Sequence, residues 1–285
     1  MKRYTMLAGA ALAAALTFGI AQAAPVTLSN GTLTARINDA GTFSEYSSDP
    51  SGSPAGSPGL SYAGVEYVNH GTPISWYWFE TDSGNTIASL GSNPFGAATY
   101  AAGGSASTTF AFGGLTFVQT AALTAPNILS VIVSITNNGP ALTSAKWGVG
   151  FDPDQGISLG GGYATDNTIL GQGAAAAVMA DYDGYSVTLR NTTSASAYRI
   201  AAYIDPTTCC SPVSPTVAFG ASQTGGYNIV GDYSISLAYD LGSLGTGQTA
   251  SIGYEYVFAV PEPGPLAMLL AGLGMIGFMT RRRLG

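Results

Sequence analysis

Asp152-Pro153-Asp154-Gln155-Gly156 is the stretch of this chain best equipped for chemistry, with Asp166 and Asn167 beyond it across the turn Gly160-Gly161-Gly162. Carboxylates two residues apart on a turning backbone point the same way, and hard oxygen donors of that kind suit calcium. The spacing of a full calcium loop is absent: Gly156 falls at the fifth position and no glutamate closes the site. Asp152, Asp154 and Asp166 therefore read either as a calcium site or as an acidic turn after a strand. A second group is Trp76, Trp78 and Glu80, which alternation puts on one face of a strand with Asp82 close by. Flat aromatic faces with a carboxylate could form a sugar platform; the same rings could equally be core. His70 is the single histidine, so no histidine-based zinc site and no Ser-His-Asp triad with a choice of base can be assembled, and a lone histidine in a turn reads as a polar turn residue. A glycosidase needs two carboxylates flanking a cleft, and no spacing here nominates such a pair. Asp181 and Asp183 in Ala-Asp-Tyr-Asp-Gly-Tyr read as a hairpin turn first. No catalytic residue is nominated.

Cys209 and Cys210 are the only cysteines and are adjacent. Their Cα atoms stand about 3.8 Å apart, below the usual disulfide range, so a bond between them would be a strained ring, and as the only cysteines they leave no long-range disulfide to staple the fold. An oxidised vicinal pair or an intermolecular link fits an exported protein.

The elements that must position these groups read as strands and turns. Leu33, Ala35 and Ile37 alternate with polar neighbours, as do Leu129, Val131, Val133 and Ile135, where Ile132 is the one apolar residue on the polar side. Gly113-Gly114 joins Thr108–Phe112 to Leu115–Leu123 as a hairpin, and Ile252, Tyr254, Tyr256 and Phe258 share one face of the last strand. Further strands are expected at 62–68, 74–80, 146–152, 175–180, 185–190, 197–204, 216–219 and 233–239. Turn signals about every ten residues without helical periodicity predict an all-β fold, one large antiparallel β-sandwich over residues 24–259. Residues 28–35 and 240–248 resemble the supersandwich of galactose-mutarotase-like and carbohydrate-active proteins.

Both ends carry addresses. Lys2 and Arg3 precede an apolar run closed by Ala21-Gln22-Ala23, which predicts a helical signal peptide over residues 1–23, cut after Ala23 by signal peptidase. At the other end, Val260-Pro261-Glu262-Pro263 leads into an apolar segment, residues 264–280, and then Arg281-Arg282-Arg283. As a transmembrane helix its sixteen residues from Gly264 to Met279 would reach about 24 Å, short of a hydrocarbon core of roughly 30 Å. The arginines hold the C-terminus on the cytoplasmic side and leave the body outside. This order of a Pro-Glu-Pro signature, one short apolar helix and an arginine cluster resembles the PEP-CTERM sorting domain, covering residues 260–285. The resemblance implies recognition and processing by exosortase in a Gram-negative bacterium that makes extracellular polysaccharide. It also implies transient inner-membrane anchoring, then the cell surface or the biofilm matrix.

Between the addresses, four basic residues, Arg36, Lys146, Arg190 and Arg199, face fifteen carboxylates. Nucleic acid is thereby excluded as a partner, because phosphate binding needs a basic surface. The expected function is a non-enzymatic structural protein of the surface or exopolysaccharide matrix. The alternative is a carbohydrate-binding, mutarotase-like or glycan-cleaving protein acting on that matrix. Calcium is the one cofactor the sequence raises.

Overall fold

The computed structural model describes residues 26–38, 40–43, 59–68, 75–82, 86–89, 99–102, 104–193, 198–261 and 273. The first strands are β1 (Val26–Ser29), β2 (Leu33–Ile37), β3 (Gly59–Tyr62) and β4 (Val65–Glu66). β5 (Ser75–Thr81), β6 (Thr86–Ser89), β7 (Thr99–Ala102), β8 (Ser105–Phe112), β9 (Leu115–Ala125) and β10 (Ile128–Asn137) follow. Next come β11 (Leu142–Phe151), the short helix α1 (Gln155–Ser158), β12 (Thr165–Gly171), β13 (Ala177–Tyr182) and β14 (Tyr185–Asn191). The chain continues through β15 (Arg199–Ile204), helix α2 (Pro215–Gly220), β16 (Asn228–Gly231), β17 (Ile235–Leu244) and β18 (Thr249–Ala259).

These strands make a nine-stranded sheet in the order β16-β12-β13-β14-β18-β10-β9-β8-β7, a five-stranded sheet β15-β17-β11-β5-β6 and a small sheet β1-β2-β3-β4. Every pairing described is antiparallel. The result is sandwich-like. Period-two patterning explains it, since each long strand carries one apolar face that has to be covered. On β10, Leu129, Val131, Val133 and Ile135 are buried, while Ile132 points out and is 53% exposed. On β18, Ile252, Tyr254, Tyr256 and Phe258 face the same core. Rings join the layers: Tyr77 stacks on both Phe110 and Trp147, and Phe110 stacks on Phe117. The segments that follow β2 and β4 close another part of that face, with Tyr67 edge-on to Phe258 and Phe43 edge-on to Tyr256.

Two expected strands are built differently. Residues 62–68 are split by a turn at Ala63 and Gly64, both at positive φ, so β3 pairs back onto β4. Residues 216–219 lie in α2. Ser214 caps that helix by accepting from the Thr216 amide (3.1 Å), and Pro215 opens it with a fixed φ, a start signal that outweighs the β-branched Thr216 and Val217. The predicted signal helix, with Ala21 and Ala23, lies outside the described residues. So do Glu262 and Pro263, the predicted membrane helix at 264–280 apart from Leu273, and Arg281–Arg283. Among the described residues no helix is long and apolar enough to cross a membrane.

Strand β18 runs without a linker into Val260 and Pro261. It is an interior strand, paired to β14 on one side and β10 on the other. Asn127, in the turn before β10, clamps its end: the Phe258 amide donates to the Asn127 carbonyl (3.0 Å), and Asn127 Nδ2 donates to the Phe258 carbonyl (2.8 Å). Pro261 then rests on the β13–β14 turn. Gly184 there has φ +82°, and a Cβ on it would stand 3.0 Å from Pro261 Cγ.

Candidate metal centre

The outer face of the five-stranded sheet carries Trp76, Trp78 and Glu80 as alternation predicts, but α2 and the segment leading into it lie over them. Trp76 is 1% exposed in a satellite core with Tyr203, Val213, Ala218 and Ala238, so its ring offers no open face. Trp78 is half-buried. Glu80 is engaged by Lys146 Nζ (3.3 Å), Ser214 Oγ (2.7 Å) and the amide and hydroxyl of Thr216. Asp82 is also committed, accepting from the Thr143 amide (2.9 Å). The group is a strap that fastens α2 to the sheet.

Burial works against the Glu80 carboxylate, yet the hydrogen bonds from Thr216, Ser214 and Lys146, with the Lys146 charge, outweigh it and hold its pKa below the ordinary 4.5. A lowered pKa contributes stability that is fully present above 4.5 and fades as the pH falls through the folded value. Glu80→Gln is therefore expected to destabilise the fold by a constant margin at neutral pH, and that margin is expected to shrink below pH 4.5. Urea midpoints of both proteins across pH 3 to 7 test this; a margin that stays flat to the acid end counts against it.

The acidic stretch behaves otherwise. Strand β11 ends at Phe151, which turns inward at 0% exposure, and Pro153 stops the ladder because it has no amide to donate. Asp152 and Asp154 are drawn in with it, at 3% and 2% exposure. The Asp154 amide is held by the Tyr67 carbonyl at 2.8 Å, while its side chain makes no capping bond to α1. Asp232 comes from the turn between β16 and β17. One oxygen from each of Asp152, Asp154 and Asp232 lies within 4.8 Å of the others.

Asp166 is not among them, and this corrects the expected ligand set. On β12 the neighbours Thr165 and Asn167 point into the core, so alternation turns Asp166 outward, where Asn228 Nδ2 donates to it. Asp232 stands in its place. No sequence signal links it to Asp152, because the two meet only when β17 pairs with β11, with Phe151 opposite Ile235. Asp181 serves its hairpin as expected, accepting from the Gly184 amide (3.1 Å). His70 lies outside the described residues.

The electrostatics of the cluster are one-sided. Burial raises the Asp152 carboxyl well above its ordinary pKa, and the charge of Asp232 adds to this. Burial raises Asp154 further, with Asp152 and Asp232 adding to it. Asp232 sits at the mouth, exposed to solvent, and partial burial lifts it too. Among the described residues, Oδ1 of Asp152, Oδ1 of Asp154 and Oε1 of the fully buried Gln155 have no hydrogen-bond partner. Cys209 and Cys210 are joined as a disulfide. Their sulfurs and one Asp152 oxygen lie within 4.8 Å of one another, so the bonded pair borders the cluster. Such an arrangement can take up a cation or share protons.

The PEP-CTERM protein-sorting motif matches residues 259–283, so the chain carries the signal of an exported protein. No curated protein sequence matches it. Among solved structures, a bacterial glucoamylase complexed with acarbose is similar in fold at 11% identity and a TM-score of 0.51, with 85% of this chain and 32% of that chain covered. This chain thus spans about a third of the glucoamylase. A protein described as an aldose 1-epimerase from Escherichia coli K12 follows at 12% identity and a TM-score of 0.46, with 82% and 98% covered. A heparan sulfate lyase from Pedobacter heparinus has 10% identity and a TM-score of 0.44, with 82% and 34% covered.

Proposed function

We propose that this exported chain is a structural protein of the cell surface or exopolysaccharide matrix, released from its membrane tail by an exosortase-type enzyme. The observation that carries the reading is the sorting motif at residues 259–283, which begins at the last residue of β18. The body has the character such a destination requires. Its outer faces are polar, as on β10, and its carboxylates far outnumber its bases, which keeps a secreted particle soluble. A carbohydrate-directed role has less support. The likeness to the glucoamylase is one of fold, and Trp76 has no exposed ring with which to stack on a sugar.

The test replaces Pro261-Glu262-Pro263 with Ala-Ala-Ala and follows the C-terminal mass and location of the exported product. Retention of the segment through Arg283 and loss of surface delivery are the expected results. An identical mature C-terminus with unchanged surface release would overturn the proposal.

A further inference from the structure

We propose that Asp152, Asp154 and Asp232 form a binding site for one calcium ion, at the point where β11 ends and the β16–β17 turn meets it. Two independent observations carry this beyond a mere gathering of acids. The first is that Asp152 and Asp154 are almost fully buried with an oxygen each left bare, as is Oε1 of Gln155 beside them. Native interiors pair such atoms nearly always, and a buried oxygen without a donor costs about 1–3 kcal/mol.

The second is the disposition of every base in the body. Arg36 is held by Glu66 (3.2 Å), Lys146 by Glu80 (3.3 Å) and Arg190 by Glu255 (2.6 Å). The Arg199 guanidinium lies over the Phe219 ring, 4.7 Å from its centroid. All four arginines and lysines between the two sorting segments are thus engaged away from the cluster. Among the described residues no base reaches the cluster, so a bound cation or shared protons would have to neutralise it.

The donor set selects the class of ion. It consists of carboxylate oxygens, and because the two sulfurs at its edge are bonded to each other they offer no thiolate to zinc or copper. Oxygens bound to one calcium at about 2.3–2.6 Å stand at most about 5 Å apart, and the three carboxylates each bring an oxygen within 4.8 Å of the others. Magnesium demands a tighter octahedron and keeps most of its water, which suits a buried pair less well. Exposed Asp232 gives the ion an entry path and room for water ligands.

The experiment uses the full chain, stripped with a chelator and dialysed, then titrated calorimetrically with calcium chloride at pH 8 with and without magnesium. One calcium per chain is expected, with a Kd of about 0.1–1 mM, the range of extracellular modules. The melting temperature is expected to rise by about 5–10 °C at a hundredfold excess over Kd. Asp232→Asn, at an exposed position that leaves the fold unchanged, is expected to weaken calcium at least tenfold. Asp154→Asn is expected to abolish binding and, in chelator, to melt no lower than the parent, because an amide of the same shape replaces a carboxyl whose charged form burial disfavours. Absence of calcium heat together with identical melting in calcium and in chelator would overturn the proposal. Undiminished binding by Asp232→Asn would overturn it as well.

Discussion

Trp147→Ala is expected to lower the unfolding free energy by about 3–5 kcal/mol, a large part of the 5–15 kcal/mol that a domain commands. Trp147 is fully buried on β11, with its ring stacked 5.0 Å from Tyr77 and tilted against Phe117 at 5.9 Å. It therefore packs against the five-stranded sheet through Tyr77 and against the nine-stranded sheet through Phe117. Removing it takes away apolar surface and leaves a cavity between two sheets whose ladders prevent them from closing over it. Trp147→Phe is expected to cost far less, about 1–2 kcal/mol, because a ring remains and the indole nitrogen has no hydrogen-bond partner to lose. Urea unfolding of the three proteins tests both statements. Equal midpoints for Trp147→Ala and the parent would mean that the rings do not join the sheets.

Gly150→Val is expected to be the most damaging small substitution on the sheet, and Gly150→Ala to cost about 2–3 kcal/mol. A Cβ at Gly150 would stand 2.4 Å from Trp76 Cζ2, 2.7 Å from the Ile235 carbonyl and 2.8 Å from Ser236 Cβ. Two of these neighbours are the cross-strand partners of Gly150, Trp76 on β5 and Ser236 on β17. The indole lies across the bare backbone there, beneath α2. Since the carbonyl cannot move without breaking the ladder, only part of the crowding can be relieved by the side chain. Trp76→Leu combined with Gly150→Ala is accordingly expected to cost less than the two changes added, by about 1 kcal/mol. Strict additivity in a double-mutant cycle would show that the indole is not what Gly150 accommodates.

What the sequence discloses depends on whether the cause is local. Period-two patterning picked out the buried faces of β10 and β18 and singled out Ile132 as the apolar side chain on the wet face, because alternation is a property of the strand itself. The same alternation put Trp76, Trp78 and Glu80 on one face but was silent on what covers that face. The cover is α2, whose start signal is only Ser214-Pro215 inside a segment with strand-like residues. The acidic stretch divides in the same way. Asp152 and Asp154 owe their convergence to the turn around Pro153, which is local, whereas Asp232 is delivered by strand pairing eighty residues away. Asp166 was excluded by a face assignment that needed the position of β12 to be known.

The direct passage of β18 into Pro261 has a mechanical consequence. If a membrane holds the tail, as proposed, any drag on the body is transmitted lengthwise along β18, from Ala259 toward Thr249. The strand is paired to β14 and β10, so its ladders to both neighbours are loaded together in shear instead of being peeled one bond at a time. The Asn127 clamp on Phe258 stands at the point where the force enters. The sorting motif thus continues from one of the interior strands of the largest sheet, an attachment that would bear tension for as long as the proposed tether lasts.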